Sequence, residues 1–293
     1  MSQKTMVVTG ATSGIGEATA TALAAGGHRV GIVARNPAKA DVTRARILER
    51  RPGAEVDVFL ADLSRRADVD RVGREVVERY GRLDVLVNNA GINTSSARPT
   101  EDGIDEMLAV NVVAPVVLST VVLPALVAAA PARIVTVASE AHRIGFRVGV
   151  DDLASLGGYS GGSMRAYGRS KLLVILLTFE MARRLAGTGV TANCLCPGLV
   201  ATNLAEQPAV NRMAGALSRT PFVRTPEQGA RLSVAMATEA RYGHMTGRFI
   251  TSTPGMQFLP PLPALGDIAL QTRLWEAASE RYHFPRTLRD GPA

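Results

Sequence analysis

The chain has 293 residues, 46% of them apolar and 4% aromatic, enough hydrophobic material for one large α/β domain. Its apolar runs fall short of the roughly eighteen residues a membrane span needs: the longest, Val110 to Ala130, is broken by Asn111, Pro115, Ser119 and Pro124. The net charge of +7 comes mostly from arginines dispersed among acids, which reads as solvated helix faces rather than a nucleic-acid surface, and the scattered histidines and the closely spaced Cys194 and Cys196 argue against a metal centre or a disulfide.

Taken in chain order, β-branched runs alternate with helix-length stretches. Polar Met1 to Thr5 leads straight into a strand at Thr5–Thr9, with no leader pattern, so a cytoplasmic protein with no membrane partner is expected. Helix Gly14–Ala25, strand Arg29–Ala34, helix Pro37–Arg51, strand Glu55–Leu60, helix Arg65–Tyr80 and strand Val85–Asn88 follow. A long helical stretch, Glu101–Ala130, contains prolines that predict a bend. The second half reads as strand Ile134–Ala138, helix Ala166–Ala186, strand Val190–Leu195, helix Pro226–Thr238 and strand Arg248–Thr251. Most strands lack polar–apolar alternation, as strands covered on both faces must. The pattern predicts α/β architecture: a Rossmann-type, doubly wound parallel sheet of about seven strands flanked by helices, in a single domain spanning residues 1–293.

Two stretches break the rhythm, residues 140–165 and 199–224, each after the carboxyl end of a strand, where open α/β sheets bind ligands. With the tail, residues 254–293, they are expected to build the substrate region. Phe146, Leu153, Leu156, Met164, Leu199, Leu204, Met213 and Phe222 supply candidate apolar walls, or local core. The tail carries a helical pattern near Asp267–Tyr282, with Leu270, Leu274 and Trp275 available for packing.

Between the first strand and first helix lies Gly10-Ala11-Thr12-Ser13-Gly14-Ile15-Gly16. Glycines there permit a tight turn and let the backbone approach a pyrophosphate held at the helix N-terminus. Asn88-Asn89-Ala90-Gly91 follows the fourth strand, and Tyr167-Gly168-Arg169-Ser170-Lys171 opens a later helix. Together, in this order, these motifs resemble the short-chain dehydrogenase/reductase family over Lys4 to about Thr251. The segments around Ser139, Tyr167 and Pro226, and the wide interval from Ser139 to Tyr167, are similar to its branch of retinol dehydrogenases, WW-domain oxidoreductases and protochlorophyllide reductases. Two departures stand out: no membrane anchor precedes the first strand, and "NVVAPVVL" after Val110 lacks the branch's Gly-His pattern. Retinoid chemistry is therefore not implied; a soluble reductase of a lipophilic carbonyl compound, or the matching alcohol dehydrogenase, fits better.

The resemblance implies a catalytic tetrad of Asn111, Ser139, Tyr167 and Lys171. Independently, Tyr167 and Lys171 lie four apart on one helix face. A nearby ammonium would bring the phenol, ordinarily near 10, toward working pH for general acid–base transfer. Ser139 would hold the substrate oxygen, Lys171 the nicotinamide ribose as well, and Asn111 a proton-relaying water. The cofactor expected is NADP(H). About 20 residues past the glycine turn an acid would select NAD, whereas this chain has Arg35-Asn36, and a guanidinium suits a 2′-phosphate. Asp62 and Leu63 are expected beside the adenine, Asn89, Ala90 and Gly91 along the site floor, and Pro197, Gly198, Val200 and Thr202 near the carboxamide. The apolar run Leu172 to Leu177, together with the helix after Asn111, suggests a homodimer or homotetramer. A non-catalytic NADP-binding sensor of the same fold is the alternative, against which an intact tetrad argues.

Overall fold

Seven short, largely apolar segments pair side by side and all in parallel in the computed structural model, which describes residues 3–159, 162–200 and 223–288. The strands are β1 (Thr5–Thr9), β2 (Arg29–Ala34), β3 (Val56–Leu60), β4 (Val85–Asn88), β5 (Ala132–Val137), β6 (Val190–Cys196) and β7 (Phe249–Thr251), in the spatial order β3-β2-β1-β4-β5-β6-β7. The order reverses between β1 and β4, where Val8 stands beside Val87, so a crevice opens at the carboxyl ends of these two strands.

Successive strand residues point to opposite faces, and both faces are buried. Val7, Val33, Leu86 and Ile134 enter one core, while Met6, Val8, Ile32 and Val87 enter the other. The second core is covered by α1 (Gly14–Ala25), α2 (Pro37–Arg50) and α9 (Pro226–Thr238). The first lies under α3 (Arg66–Tyr80), α5 (Ala114–Val121), α6 (Leu123–Ala128), α8 (Ser163–Arg184) and α10 (Ile268–Tyr282). A short α4 (Glu106–Leu108) precedes α5, and α7 (His142–Gly145) precedes α8. Covering both faces removes the alternation that a half-exposed strand would show.

The long helical stretch differs from the sequence expectation. It starts at Glu106 rather than Glu101, because Asp105 caps it by accepting from the Leu108 N–H at 3.1 Å, while Pro99 bridges to Asp105 ahead of it. A π turn over Ala109–Val113 joins α4 to α5, and the helix breaks again at Val122, with Pro115 and Pro124 in the first turns of α5 and α6. The described residues of 140–165 are not a plain loop: they hold α7, 3₁₀ turns at Val150–Leu153 and Gly157–Tyr159, and the start of α8. Leu153 and Leu156 are 2% exposed each and belong to the core rather than to a pocket wall.

Leu172 to Leu177 are all buried within the single chain. Part of the cover is the chain's own tail. On α10, Leu274 and Trp275 are fully buried, and Thr272 donates to the buried Glu180 of α8 at 3.4 Å. The tail is further tied down by Trp275 Nε1 to the Arg286 carbonyl at 3.1 Å, by Arg66 to the carbonyls of Tyr282 and His283, and by the Tyr282 hydroxyl to Leu153 O. The run Leu172 to Leu177 is thus covered within one chain. Among the described residues, no helix is long and apolar enough to cross a membrane.

Candidate active site

The glycine turn after β1 is built by close approach. Gly10 and Gly14 have positive φ, and Gly10 N–H donates to the Val33 carbonyl at 3.0 Å. A Cβ on Gly16 would lie 2.2 Å from Gly10 O and 2.3 Å from Asn89 Nδ2, so only glycine fits at this crossing. Asn89 in turn donates through Nδ2 to Thr9 O at 2.9 Å, and Thr9 Oγ1 accepts from the N–H groups of Asn89 and Ala90 at 3.0 and 3.1 Å. The ends of β1 and β4 are therefore stitched together beneath the N-terminus of α1. Ser13 is the N-cap of α1, exposed, with no side-chain capping bond. Its hydroxyl and the first helix N–H groups remain available to an anion.

Beside this turn, Arg35 directly follows β2, with its side chain 72% exposed and its Nη1 4.0 Å from Asp62 after β3. Asp62 accepts from Ser64 N and Oγ at 2.9 and 2.7 Å, and Leu63 is partly buried against the core. Asn36, also expected at the cofactor, caps α2 by accepting from Lys39 N–H at 3.0 Å. On the far side of the crevice, Pro197 and Gly198 follow β6. Arg224 holds them by donating to Pro197 O at 3.3 Å and to Ser252 Oγ at 2.6 Å. Val200 bridges to Arg224 and packs toward Gly229 of α9, where Ile15 of α1 also approaches. Thr202, Leu204, Met213 and Phe222 lie outside the described residues.

Three of the four expected catalytic side chains meet at the carboxyl ends of β5 and β6. Tyr167 is 6% exposed, and the Ser139 side chain beside it favours its ionised form. Ser139 Oγ accepts from Ala141 N–H at 3.1 Å. Lys171 is 3% exposed; its Nζ donates to Val137 O at 3.1 Å and stands 5.5 Å from the centroid of the Tyr167 ring. The electrostatics differ from the sequence expectation. Burial raises the Tyr167 phenol well above its ordinary value, and the Ser139 side chain pulls it down only partly. Burial likewise pulls the Lys171 ammonium down to about 8. Burial rather than the ammonium sets the direction of the phenol, for Lys171 lies over the ring and is anchored to the Val137 carbonyl.

Asn111, the fourth residue, sits in the π turn, a common location for functional side chains. Its Oδ1 accepts from Ile92 N–H at 2.9 Å, and its Nδ2 donates to Ile92 O at 2.9 Å and to Ser170 Oγ at 3.0 Å. A Cβ on Gly91 would come within 3.3 Å of Lys171 Nζ and 3.4 Å of Asn111 Oδ1, so Gly91 separates the two groups. Sequence reasoning passed over Thr9, Ser170 and Arg224, which hold Asn89, Asn111 and Pro197. Their partners lie 80, 59 and 27 residues away, and no short-range signal marks them.

Residues 4–151 and 152–212 match the family model for short chain dehydrogenases. Retinol dehydrogenase 14 of Homo sapiens is 34% identical over 292 residues, spanning 94% of this chain and 85% of that protein. Retinol dehydrogenase 12 of Homo sapiens is 35% identical over 248 residues, spanning 85% and 77%. Among solved structures, a short chain dehydrogenase from Burkholderia cenocepacia in complex with NADP is 28% identical, with a TM-score of 0.68 and coverage of 85% of this chain and 95% of that one. A short-chain dehydrogenase/reductase from Serratia marcescens is 27% identical, with a TM-score of 0.67 and the same coverage. The chain belongs to the short-chain dehydrogenase family and is an oxidoreductase of its retinol dehydrogenase branch.

Proposed function

We propose that the chain is an NADP(H)-dependent reductase of a lipophilic ketone or aldehyde, or the alcohol dehydrogenase running the same reaction backwards, with Tyr167 as general acid and base. The observation that carries this reading is a buried phenol beside Ser139, with the Lys171 ammonium 5.5 Å from its ring. The glycine cradle fits a dinucleotide: a Cβ at Gly16 would fill it, and the exposed Ser13 at the α1 N-terminus is free of capping duty. Gly10, Thr12, Ser13, Gly14, Ile15 and Gly16 would hold the pyrophosphate, Arg35 the 2′-phosphate, and Asp62 and Leu63 the adenine side. Tyr167 and Lys171 would hold the nicotinamide ribose, with Asn89, Ala90 and Gly91 beneath it. Pro197, Gly198, Val200 and Thr202 would meet the carboxamide. The Burkholderia cenocepacia neighbour, solved with NADP, supports the choice of cofactor.

When bound, the reduced cofactor supplies the hydride that reaches the carbonyl carbon. The chain's own residues handle the oxygen. Ser139 Oγ accepts from Ala141 N–H, and its hydroxyl hydrogen, which favours the Tyr167 phenolate, would turn to the substrate oxygen once substrate binds. Tyr167 gives its phenolic proton to that oxygen as negative charge develops there. Burial keeps the phenol protonated at neutral pH, the state a general acid requires. Lys171 Nζ then stabilises the phenolate. Asn111 Oδ1 keeps one lone pair after accepting from Ile92, enough to hold a water that returns the proton.

A lipophilic substrate is supported by the exposed apolar side chains of Phe146, Met164 and Leu199, at 48, 47 and 58% exposure. Met164 lies one turn before Tyr167 on α8, and Leu199 directly follows Gly198. The relatives' name, retinol dehydrogenase, points the same way, toward an apolar alcohol. The test is NADPH oxidation with a panel of apolar and polar ketones and aldehydes. Turnover concentrated among the apolar compounds is expected; tight NADPH binding with no turnover of any carbonyl would favour the sensor instead.

A further inference from the structure

Next to the proposed reacting pair, α7 carries a histidine that the reaction itself does not use. His142 is 0% exposed. Its backbone N–H and its Nδ1 both reach the Ser139 carbonyl oxygen, at 3.1 and 2.9 Å. A carbonyl oxygen only accepts, so Nδ1 carries the ring proton and Nε2 is left with a lone pair. Nε2 is buried without a partner, and the ring lies edge-on to Phe249 of β7, with centroids 4.8 Å apart. Burial lowers the pKa of the ring and keeps it neutral, although the Ser139 carbonyl and Glu140 pull the other way. An apolar side chain would fill this space without stranding a ring nitrogen. What the histidine adds is the Nδ1–H bond.

That bond acts on the turn that presents Ser139. Within it, Ala141 N–H donates to Ser139 Oγ, while the Ser139 carbonyl is gripped twice by His142. The other end of α7 is seated on α8, backbone against backbone. A Cβ on Gly145 would lie 2.5 Å from Arg169 N and Gly168 C, and one on Gly168 would lie 2.4 Å from Ala141 O. Gly168 is the residue after Tyr167. A stiff link therefore runs from Ser139 through His142 and α7 to the backbone beside Tyr167.

We propose that His142 is a positioning residue, whose Nδ1–H fixes the Ser139 carbonyl and thereby sets Ser139 Oγ against the Tyr167 hydroxyl. The inference rests on the reading of Ser139 and Tyr167 as the pair that handles the substrate oxygen. Two isosteric variants separate the nitrogens: an Asn side chain places its amide nitrogen near the position of Nδ1, whereas Gln reaches the position of Nε2. His142→Asn should keep kcat within about threefold of wild type, while His142→Gln should lose tenfold to roughly a hundredfold, the span expected when a reacting group shifts by about 1 Å. NADPH affinity should stay unchanged in both. In a Ser139→Ala background the same His142→Gln change should cost little more, because the group it positions is gone.

Equal rates for the Asn and Gln variants, or a full loss for His142→Gln in the Ser139→Ala background, would overturn the role. If His142→Gln melts out, the Asn variant decides, and a folded Asn protein more than tenfold slower than wild type refutes the Nδ1 bond as its cause. A wild-type protein that reduces no carbonyl compound would instead overturn the underlying reading.

Discussion

Replacing Arg35 by alanine removes the charge proposed to meet the 2′-phosphate, and its cost can be bounded from the structure. A hydrogen bond to a charged partner contributes about 1.5–3 kcal/mol. The Arg35 side chain is 72% exposed, so solvent screens it, and the Asp62 carboxylate at 4.0 Å already occupies part of its field. Both facts place the effect at the lower end, about 1.5 kcal/mol, or roughly tenfold in affinity. Calorimetric titration of wild type and Arg35→Ala with NADPH and NADH is the assay. Wild type should bind NADPH at least tenfold more tightly than NADH; the variant should lose most of that gap through weaker NADPH binding, with NADH barely changed. Raising the salt should narrow the wild-type gap as well, because the interaction is exposed. A wild-type preference for NADH, or a gap that survives the substitution, would refute the assignment of Arg35.

Two other outcomes follow from the geometry. Burial pulls Lys171 down to about 8, so between that value and about 10.4 the unfolded chain binds the extra proton and stability gains with rising pH. Lys171→Met removes this titration, so its melting temperature relative to wild type should be highest below pH 8 and fall as the pH climbs, over a span of about 3 kcal/mol; a pH-independent difference would contradict the buried ammonium. Because α10 covers the α8 face and Leu172 to Leu177 are buried within one chain, light scattering at micromolar concentration should give the monomer mass of 30.9 kDa. A mass twice that or more would show that copies join through another face.

Much of the architecture was legible because it is local. The glycine turn, the Asn88–Gly91 run and the Tyr167–Lys171 spacing are short-range patterns, and strands buried on both faces announce themselves as unbroken apolar runs. What escaped depends on partners distant in sequence. The breadth of the α8 apolar run suggested a subunit interface; its cover by α10 was not legible, because those residues lie some ninety positions on, as in Thr272 on Glu180. Leu153 and Leu156 read equally as pocket wall or core, because an apolar loop residue looks the same in either place, and the fold puts both in the core. An Asn before Pro is also a helix cap, and Asn36, expected at the cofactor, serves as one. The sign of the Tyr167 shift was missed for a related reason: helical spacing gives the distance to Lys171 but not the depth of burial, and burial dominates.

The central claim is that the Tyr167 hydroxyl moves the proton. Tyr167→Phe deletes that oxygen alone, leaves the ring in its buried site on α8, and spares the glycine turn and Arg35. Steady-state NADPH oxidation with a carbonyl compound that wild type reduces, run beside a titration of NADPH binding, is the most direct test. The account predicts unchanged fold, near-normal NADPH affinity and a kcat lower by roughly two to four orders of magnitude. A folded Tyr167→Phe protein that binds NADPH normally and turns over at the wild-type rate would contradict it.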